Sequence, residues 1–314
     1  MATDLTDFIA GLPKVELHVH HVGSATPYTV ARLAERHAGT TAVPADPALL
    51  AEYFTFTDFA HFVEVYLSVV DLIRDAEDLA TLTYDIGADL AAQSVRYAEL
   101  TLTPYSSIVR GVPAEAYCEA VEDARLRAAR DHGIQLRWCF DIPGEPTMTG
   151  ADVTLEVALK QRPDGLVSFG LGGPESGIPR ARYAGHFAAA RDPDLMAHLR
   201  EHDIALEVCP TSNACTRSVP SLAEHPLPQL VAAGVPVTVN SDDPPMFSTT
   251  LNREYQVAAD LLDLDEHGVA ELARQAVRYS FLDAAGKTAV LAEIDDYLQA
   301  LPGEAGRPCA RPTD

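Results

Sequence analysis

Two histidines lie close together near the start of the chain, in an apolar run that is typical of a buried strand. His18 and His20 are separated only by Val19 within the run Val15–His21. Side chains two residues apart on a strand point to the same face, so the two imidazoles share one face. Imidazole is a common ligand of divalent metal ions, whereas a lone buried histidine is more often a packed core residue. The pair therefore favours a metal site, and His21 is interpreted as structural or as a loop residue near the substrate.

Two carboxylates follow the last apolar run of the chain. Asp242 and Asp243 come directly after Pro236–Asn240. Alone, Asp-Asp-Pro is a common turn or helix N-cap. In a closed barrel, however, the first and last strands lie side by side, so one aspartate would join the two imidazoles as a ligand while the other binds substrate or orients water. A metal held there lowers the pKa of bound water to about 7 and supplies hydroxide for hydrolysis.

The elements that would position these residues alternate along the chain. The predicted strands are Val15–His21, Arg96–Thr103, Gln135–Ile142, Gly165–Leu171, Ile204–Cys209 and Pro236–Asn240. Helical periodicity lies between them, at Asp58–Ile73, Asp75–Gln93 and Ala114–His132, and Gly133 is the expected C-cap of the last. This alternation predicts βαβ units and a parallel sheet. Polar residues such as Asp141 at the carboxyl ends of strands are typical of a TIM-type α/β barrel with its site there.

Composition excludes several classes of protein. The 314 residues include 23 Lys and Arg against 46 Asp and Glu, a net charge of −23, which argues against binding to nucleic acid or to an anionic membrane. The sequence shows no apolar run of about 18 residues. Five cysteines without a Cys-x-x-Cys pair predict free thiols in a reduced cytoplasm, and the spacing of Cys209 and Cys215 fits no zinc pattern. We expect one domain over residues 1–301 and a flexible tail over 302–314; a homo-oligomer remains open.

Three further features have alternative interpretations. Six aromatic residues within Tyr53–Tyr66 form either core or an apolar lid over a planar base, and Thr57 or Asp58 is the expected N-cap of the helix there. Gly173 lies in a Gly-Gly-Pro-Glu turn that favours close backbone approach to a planar ligand over a phosphate cradle. Glu207, inside a strand, is either structural or a neighbour of the metal.

Several separated motifs together resemble the adenosine deaminase family. The resemblance rests on LPKVELHVH at 12–20, LEVCPTSN at 206–213, NSDDP at 240–244 and LNREY at 251–255. Within the family, His-Val-Gly-Ser at 21–24 is similar to the aminodeoxyfutalosine deaminase branch, since adenosine deaminases have an Asp-Gly pair there. FTFTDF at 54–59 and FDIPGE at 140–145 fit the same branch.

This resemblance implies a TIM-type barrel with one zinc ion. His18, His20 and Asp242 would be the metal ligands, Asp243 and His20 would contact the substrate, and Gly173 would lie against the purine. The implied reaction is hydrolytic deamination of a purine nucleoside, aminodeoxyfutalosine, in futalosine-dependent menaquinone synthesis. That nucleoside carries a carboxylate, for which the candidate cations are Arg110, Arg137 and Arg180.

The sequence departs from the family in one stretch. It lacks the His-Ala-Gly-Glu motif, which supplies the third metal histidine and the catalytic acid, and the Gly-His-Gly motif that follows. Only 33 residues separate Gly173 from Glu207, whereas two further βα units need about 60. We therefore expect an incomplete barrel of about six βα units, produced by an internal deletion joined at residues 189–191. Glu175 is a candidate substitute acid, and His186, His198 and His202 are interpreted as surface residues.

Two other functions remain open beside the deaminase. A catalytically inactive relative that binds metal or nucleoside would explain the missing motifs. An adenosine deaminase is the other alternative, against which the residues 21–24 argue.

Overall fold

The computed structural model describes residues 4–143, 149–172 and 203–301. All six predicted strands form, with ends that differ from the prediction by a few residues. They are β1 (Lys14–His20), β2 (Val95–Leu102), β3 (Gln135–Pro143), β4 (Leu166–Gly172), β5 (Leu206–Val208) and β6 (Val237–Val239). β5 and β6 are shorter than their apolar runs, because backbone pairing between them covers only three residues of each.

Helices fill most of the described chain between the strands. They are α1 (Leu5–Gly11), α2 (Pro27–Arg36), α3 (Pro47–Tyr53), α4 (Phe59–Val70), α5 (Ala76–Ala92), α6 (Pro104–Ile108), α7 (Ala114–His132), α8 (Thr149–Gln161), α9 (Pro210–Cys215), α10 (Leu227–Ala232), α11 (Leu251–Leu262), α12 (Glu266–Tyr279) and α13 (Ala284–Gln299). α7 ends as predicted at Gly133, whose φ of +71° suits glycine. Asp58, rather than Thr57, caps α4 by accepting from the backbone N–H of His61.

The strands are parallel and bring the two ends of the chain together. β1 to β4 form a sheet in sequence order, and β5 pairs with β6. An isolated parallel bridge between Val19 and Asp242 joins the two sheets: the N–H of His20 donates to the carbonyl of Asp242 at 2.8 Å, and the N–H of Asp242 donates to the carbonyl of His18 at 3.1 Å. The predicted adjacency of the first and last strands is therefore confirmed.

The core lies between the strands and the surrounding helices. Tyr97, Trp138 and Phe140 on β2 and β3 are fully buried. Within the described ranges β4 pairs only with β3, and Phe169 on β4 is 47% exposed. The fold is thus a parallel α/β barrel that is partly incomplete over the described residues, as predicted. None of the helices in these ranges is both long and apolar enough to cross a membrane.

Several predictions fall on parts of the chain that lie outside the described residues. They concern Gly173, Glu175, Arg180, His186, His198, His202, Cys309, the join at residues 189–191 and the tail at 302–314.

Candidate metal centre and active site

Three of the predicted site residues converge at the carboxyl end of β1. Asp242 Oδ1 lies 3.2 Å from His20 Nε2 and 3.7 Å from His18 Nε2. One donor atom from each of the three residues lies within 4.8 Å of the other two, and no other group of three His, Cys, Asp or Glu side chains in the described part of the chain does so. Two imidazoles and a carboxylate are ligands that a divalent metal ion accepts. The donor set therefore fits such an ion.

The protonation states of Asp242 and His20 suit metal binding. Burial opposes ionisation of Asp242, but the nearby imidazoles of His18 and His20 and the hydroxyl of Ser212 hold the pKa of its carboxyl well below the usual range. Burial lowers the pKa of His20, which keeps that imidazole neutral. An anionic carboxylate and a neutral imidazole are the forms that coordinate metals. Burial opposes protonation of His18, but the carboxylates of Asp242 and Glu207 raise the pKa of that imidazole, so it must lose a proton to coordinate an ion.

Two further side chains hold the donors in place. Glu207 on β5 lies with Oε2 2.9 Å from His18 Nδ1, which leaves Nε2 of that imidazole to face Asp242. The hydroxyl of Ser212, on α9, donates to Asp242 Oδ2 at 2.5 Å. Carboxylates and hydroxyls behind metal ligands fix their orientation and raise their basicity. The structure therefore places Glu207 beside the candidate centre, the second of the two interpretations of this residue.

Backbone bracing fixes β1 against the segment that follows β6. The Asn240 side-chain oxygen accepts from the backbone N–H of Leu17 at 2.8 Å and of His18 at 3.2 Å. The buried carboxyl of Glu16 accepts from the N–H of Ser241 at 2.9 Å and from its hydroxyl. These bonds explain why polar residues occur at Glu16 and Asn240 within otherwise apolar runs, since each links the strand of the histidines to the segment that carries the aspartate.

Asp243 is buried next to the three donors. It is 6% exposed, and its Oδ1 has no hydrogen-bond partner among the described residues. A Cβ placed on Gly23 would come within 1.5 Å of this oxygen, so only glycine at position 23 leaves room for the carboxylate. A buried polar atom without a partner is costly in a folded protein. Oδ1 of Asp243 is therefore a candidate contact for a bound ligand.

Of the other residues singled out from the sequence, Asp141 lies near the candidate donors, whereas His21 and Cys209 do not belong to the donor group. Asp141 is buried at the end of β3, where a Cβ on Gly172 would meet its Oδ2 at 2.0 Å, and its charge acts on His20. His21 is buried with Nε2 2.8 Å from the hydroxyl of Thr83, which is the structural interpretation. Cys209 is buried as a free thiol and is not part of the donor group.

The aromatic segment is partly core, as one of its two interpretations predicts, and partly lines a cavity. Phe62 is 8% exposed and stacks on Phe247 with ring centroids 5.1 Å apart, so it belongs to the core. Phe54 and Phe56 line a cavity of about 350 Å³ together with residues that follow β5 and β6. Part of the segment therefore forms the wall of a pocket.

Parallel strands, a barrel-like closure and metal donors at the carboxyl ends define a protein of the metal-dependent α/β-barrel class. The profile of the adenosine deaminase family matches residues 13–194 and 185–297. The chain belongs to the adenosine deaminase family. The two matched segments overlap at 185–194, the stretch that contains the predicted join.

Individual relatives agree with this assignment. The chain is 54% identical to an aminodeoxyfutalosine deaminase of Streptomyces avermitilis, covering 95% of this chain and 94% of that protein. It is 32% identical to an adenine deaminase of Cupriavidus necator, covering 95% of each. The crystal structure of an adenine deaminase from Arthrobacter aurescens superposes with a TM-score of 0.82 and 27% identity, covering 92% of this chain and 100% of that one.

The length of one alignment bears on the missing stretch. The alignment with the Streptomyces avermitilis protein spans 338 positions, more than the 314 residues of the whole chain. That relative therefore has residues that this chain lacks, which agrees with the expected internal deletion.

Sequence reasoning missed the role of Glu254. This buried residue on α11 accepts from the backbone N–H of Thr211 at 3.0 Å and from the hydroxyl of Thr249. It thereby ties the start of α9, which carries Ser212, to the turn after Asp243. The signal was present in the LNREY motif, where a glutamate sits on the apolar face of an amphipathic helix.

Proposed function

We propose that this chain is a zinc-dependent deaminase of aminodeoxyfutalosine, which acts in the futalosine route to menaquinone. The observation that carries the proposal is the convergence of His18, His20 and Asp242 in a chain 54% identical to a curated aminodeoxyfutalosine deaminase. His18, His20 and Asp242 would hold one zinc ion per chain. The free thiols of the four described cysteines support a cytoplasmic location.

The chain's own residues prepare this site for a hydrolytic reaction. Zinc in such a site supplies Lewis acidity and lowers the pKa of water to about 7. Glu207 orients His18, and Ser212 holds one oxygen of Asp242 so that the other faces the two imidazoles. Asp243 offers its unpartnered Oδ1 to a polar group of the nucleobase. Gly173 and Glu175 remain candidates for purine contact and for the acid that protonates the ring.

A specific observation favours a second candidate function. The chain lacks the His-Ala-Gly-Glu motif, which supplies the family's third metal histidine and its catalytic acid. General acid catalysis is worth about 10²–10⁴ in rate. A chain that keeps its metal site but has lost that acid would bind zinc and the nucleoside without turnover.

Two measurements on the purified, zinc-supplemented chain separate these functions. The first is zinc content by elemental analysis, with Asp242→Asn as the test variant and Asp164→Asn, an exposed residue remote from the donors, as its matched control. The second is deamination of aminodeoxyfutalosine followed by ultraviolet absorbance. Zinc binding with turnover, both lost only in Asp242→Asn, supports the deaminase.

The other outcomes are equally informative. Zinc binding at the same site without turnover supports the inactive binder. A chain that retains zinc after Asp242→Asn refutes the proposed ligand set. Faster turnover of adenosine than of aminodeoxyfutalosine would assign the chain to the adenosine-specific branch.

A further inference from the structure

A cavity of about 350 Å³ lies between three segments of the chain, two of which continue into segments that contact the candidate metal ligands. One wall is the segment before α4, with Phe54 and Phe56. The second is the turn after β6, with Met246 and Phe247. The third is the segment around the end of α9, which includes Arg217. The cavity thus combines aromatic and thioether surfaces with one guanidinium.

Arg217 differs from most arginines of the described chain in having no partner. Its guanidinium forms no hydrogen bond or ion pair with any described residue, whereas Arg36 and Arg274, for example, each pair with carboxylates. It is exposed, and its backbone holds a φ of +61°, an uncommon conformation for a residue other than glycine. In a chain with a net charge of −23, an arginine without a carboxylate partner among the described residues is available for an anionic ligand.

Two segments that line the cavity also contact Asp242 or Asp243. The N–H groups of Met246 and Phe247 donate to the carbonyl of Asp243 at 3.0 and 3.1 Å. On the other side, Ser212 holds Asp242 from α9, and Arg217 lies two residues after that helix ends. Two of the walls are therefore continuous with segments that touch the candidate metal ligands.

One acidic side chain also lines the cavity. Asp58 accepts the backbone N–H of His61 at 3.0 Å as the N-cap of α4. The positive end of the helix dipole offsets part of its charge. Arg217 therefore remains the group in the cavity that attracts an anion.

We infer that this cavity is the subsite for an anionic arm of the substrate, in which Arg217 binds a carboxylate and the phenylalanine side chains pack against the arm. The inference rests on the proposed function, since aminodeoxyfutalosine carries a carboxylate on its arm. Of the arginines named from the sequence, Arg110 pairs with Asp71, Arg137 donates to the carbonyl of Leu136, and Arg180 lies outside the described residues. Adenine and adenosine lack an anionic arm, so the subsite would select against them.

The test compares two ligands that differ only in charge. One probe is the deaminated product of aminodeoxyfutalosine, and the other is the same product with its carboxylate replaced by a carboxamide. The chain cannot deaminate the nucleobase of either probe further. Binding of each is measured by calorimetry. We expect the wild type to bind the acid about tenfold more tightly than the carboxamide, and less so at high salt. Arg217→Gln should abolish the difference and Arg217→Lys should keep part of it. The control is Arg96→Gln, a residue of β2 that does not line the cavity. It removes the same charge and should keep the whole difference in affinity between the two probes.

Three results would overturn the inference: equal affinity of the wild type for both probes, no binding of the acid, or an unchanged ratio in Arg217→Gln. Failure of the proposed function is distinguishable from these. A chain that discriminates between the probes through Arg217 but has no deaminase activity keeps the subsite and loses the reaction. A chain that deaminates aminodeoxyfutalosine equally well with and without Arg217 keeps the reaction and loses the subsite.

Discussion

Removing the carboxylate of Glu207 is expected to weaken zinc binding without removing a ligand. Glu207 Oε2 lies 2.9 Å from His18 Nδ1, so the carboxylate holds that ring with Nε2 towards Asp242. In metal sites, loss of such a partner typically lowers affinity 10- to 100-fold, or about 1.4–2.7 kcal/mol. The side chains of His18 and Glu207 are 36% and 44% exposed, and water screens part of the charge interaction.

Two substitutions separate orientation from charge. In Glu207→Gln the amide oxygen still accepts from Nδ1, so only the charge is lost, and screening places the effect at about tenfold. In Glu207→Ala the hydrogen bond is lost as well and the ring is free to turn, so the effect should approach about 100-fold. Glu156→Gln, an exposed residue on α8 paired with Lys160, is the matched control and should bind zinc like the wild type.

The assay is competition for zinc against a chromophoric chelator at neutral pH, with circular dichroism to verify folding. A dissociation constant within twofold of the wild type in both Glu207 variants would refute the reasoning. It would mean that the strand alone orients His18. An Ala variant no weaker than the Gln variant would assign the whole effect to charge.

Three further predictions follow from buried groups of the structure. Gly23→Ala should displace the Asp243 carboxylate, because the new Cβ would meet its Oδ1 at 1.5 Å; nucleoside binding measured by calorimetry should fall, and unchanged binding would contradict this. Burial raises the pKa of Glu99 to about 7, so the folded state binds a proton between about pH 4.5 and 7 that the unfolded state has released. The free energy of unfolding should therefore fall as pH rises through that window, by up to about 3 kcal/mol. Urea titrations of Glu99→Gln at several pH values should show a weaker dependence of stability on pH than the wild type, and an identical dependence would refute the prediction. Tyr255→Phe removes a buried hydroxyl that has no partner among the described residues, so the free energy of unfolding measured by urea titration should stay the same or rise. A loss of free energy of unfolding above about 1 kcal/mol would show that the hydroxyl is bonded.

The elements of the fold were predictable because their signals are local. α7 spans Ala114–His132 as predicted, since the apolar period, the terminal basic residues and Gly133 all lie within the helix or next to it. The strand ends were less accurate, because a strand ends where its neighbour stops pairing. β5 and β6 each lose residues at both ends for this reason.

The convergence of the three candidate donors was predictable, and the contacts of the residues behind them were not. His18 and His20 share a face by their spacing, and barrel closure implies that Asp242 lies near them. The partnership of His18 with Glu207 spans 189 positions and depends on side-chain direction across strands that do not follow one another in sequence. The need for glycine at position 23 likewise becomes visible only when the Asp243 carboxylate is placed beside it.

The position of the missing stretch separates metal binding from turnover. The three donors lie on β1 and directly after β6, and the Val19–Asp242 bridge holds these segments together. Ser212, Asn240 and Glu254, which brace them, also lie after residue 203. By the resemblance, the motifs expected between β4 and β5 would supply an acid and a fourth donor, and the contacts named above do not depend on them. If the Streptomyces avermitilis segment that this chain lacks were inserted at residues 189–191, zinc affinity should change less than the deamination rate, because the rate depends on the restored acid.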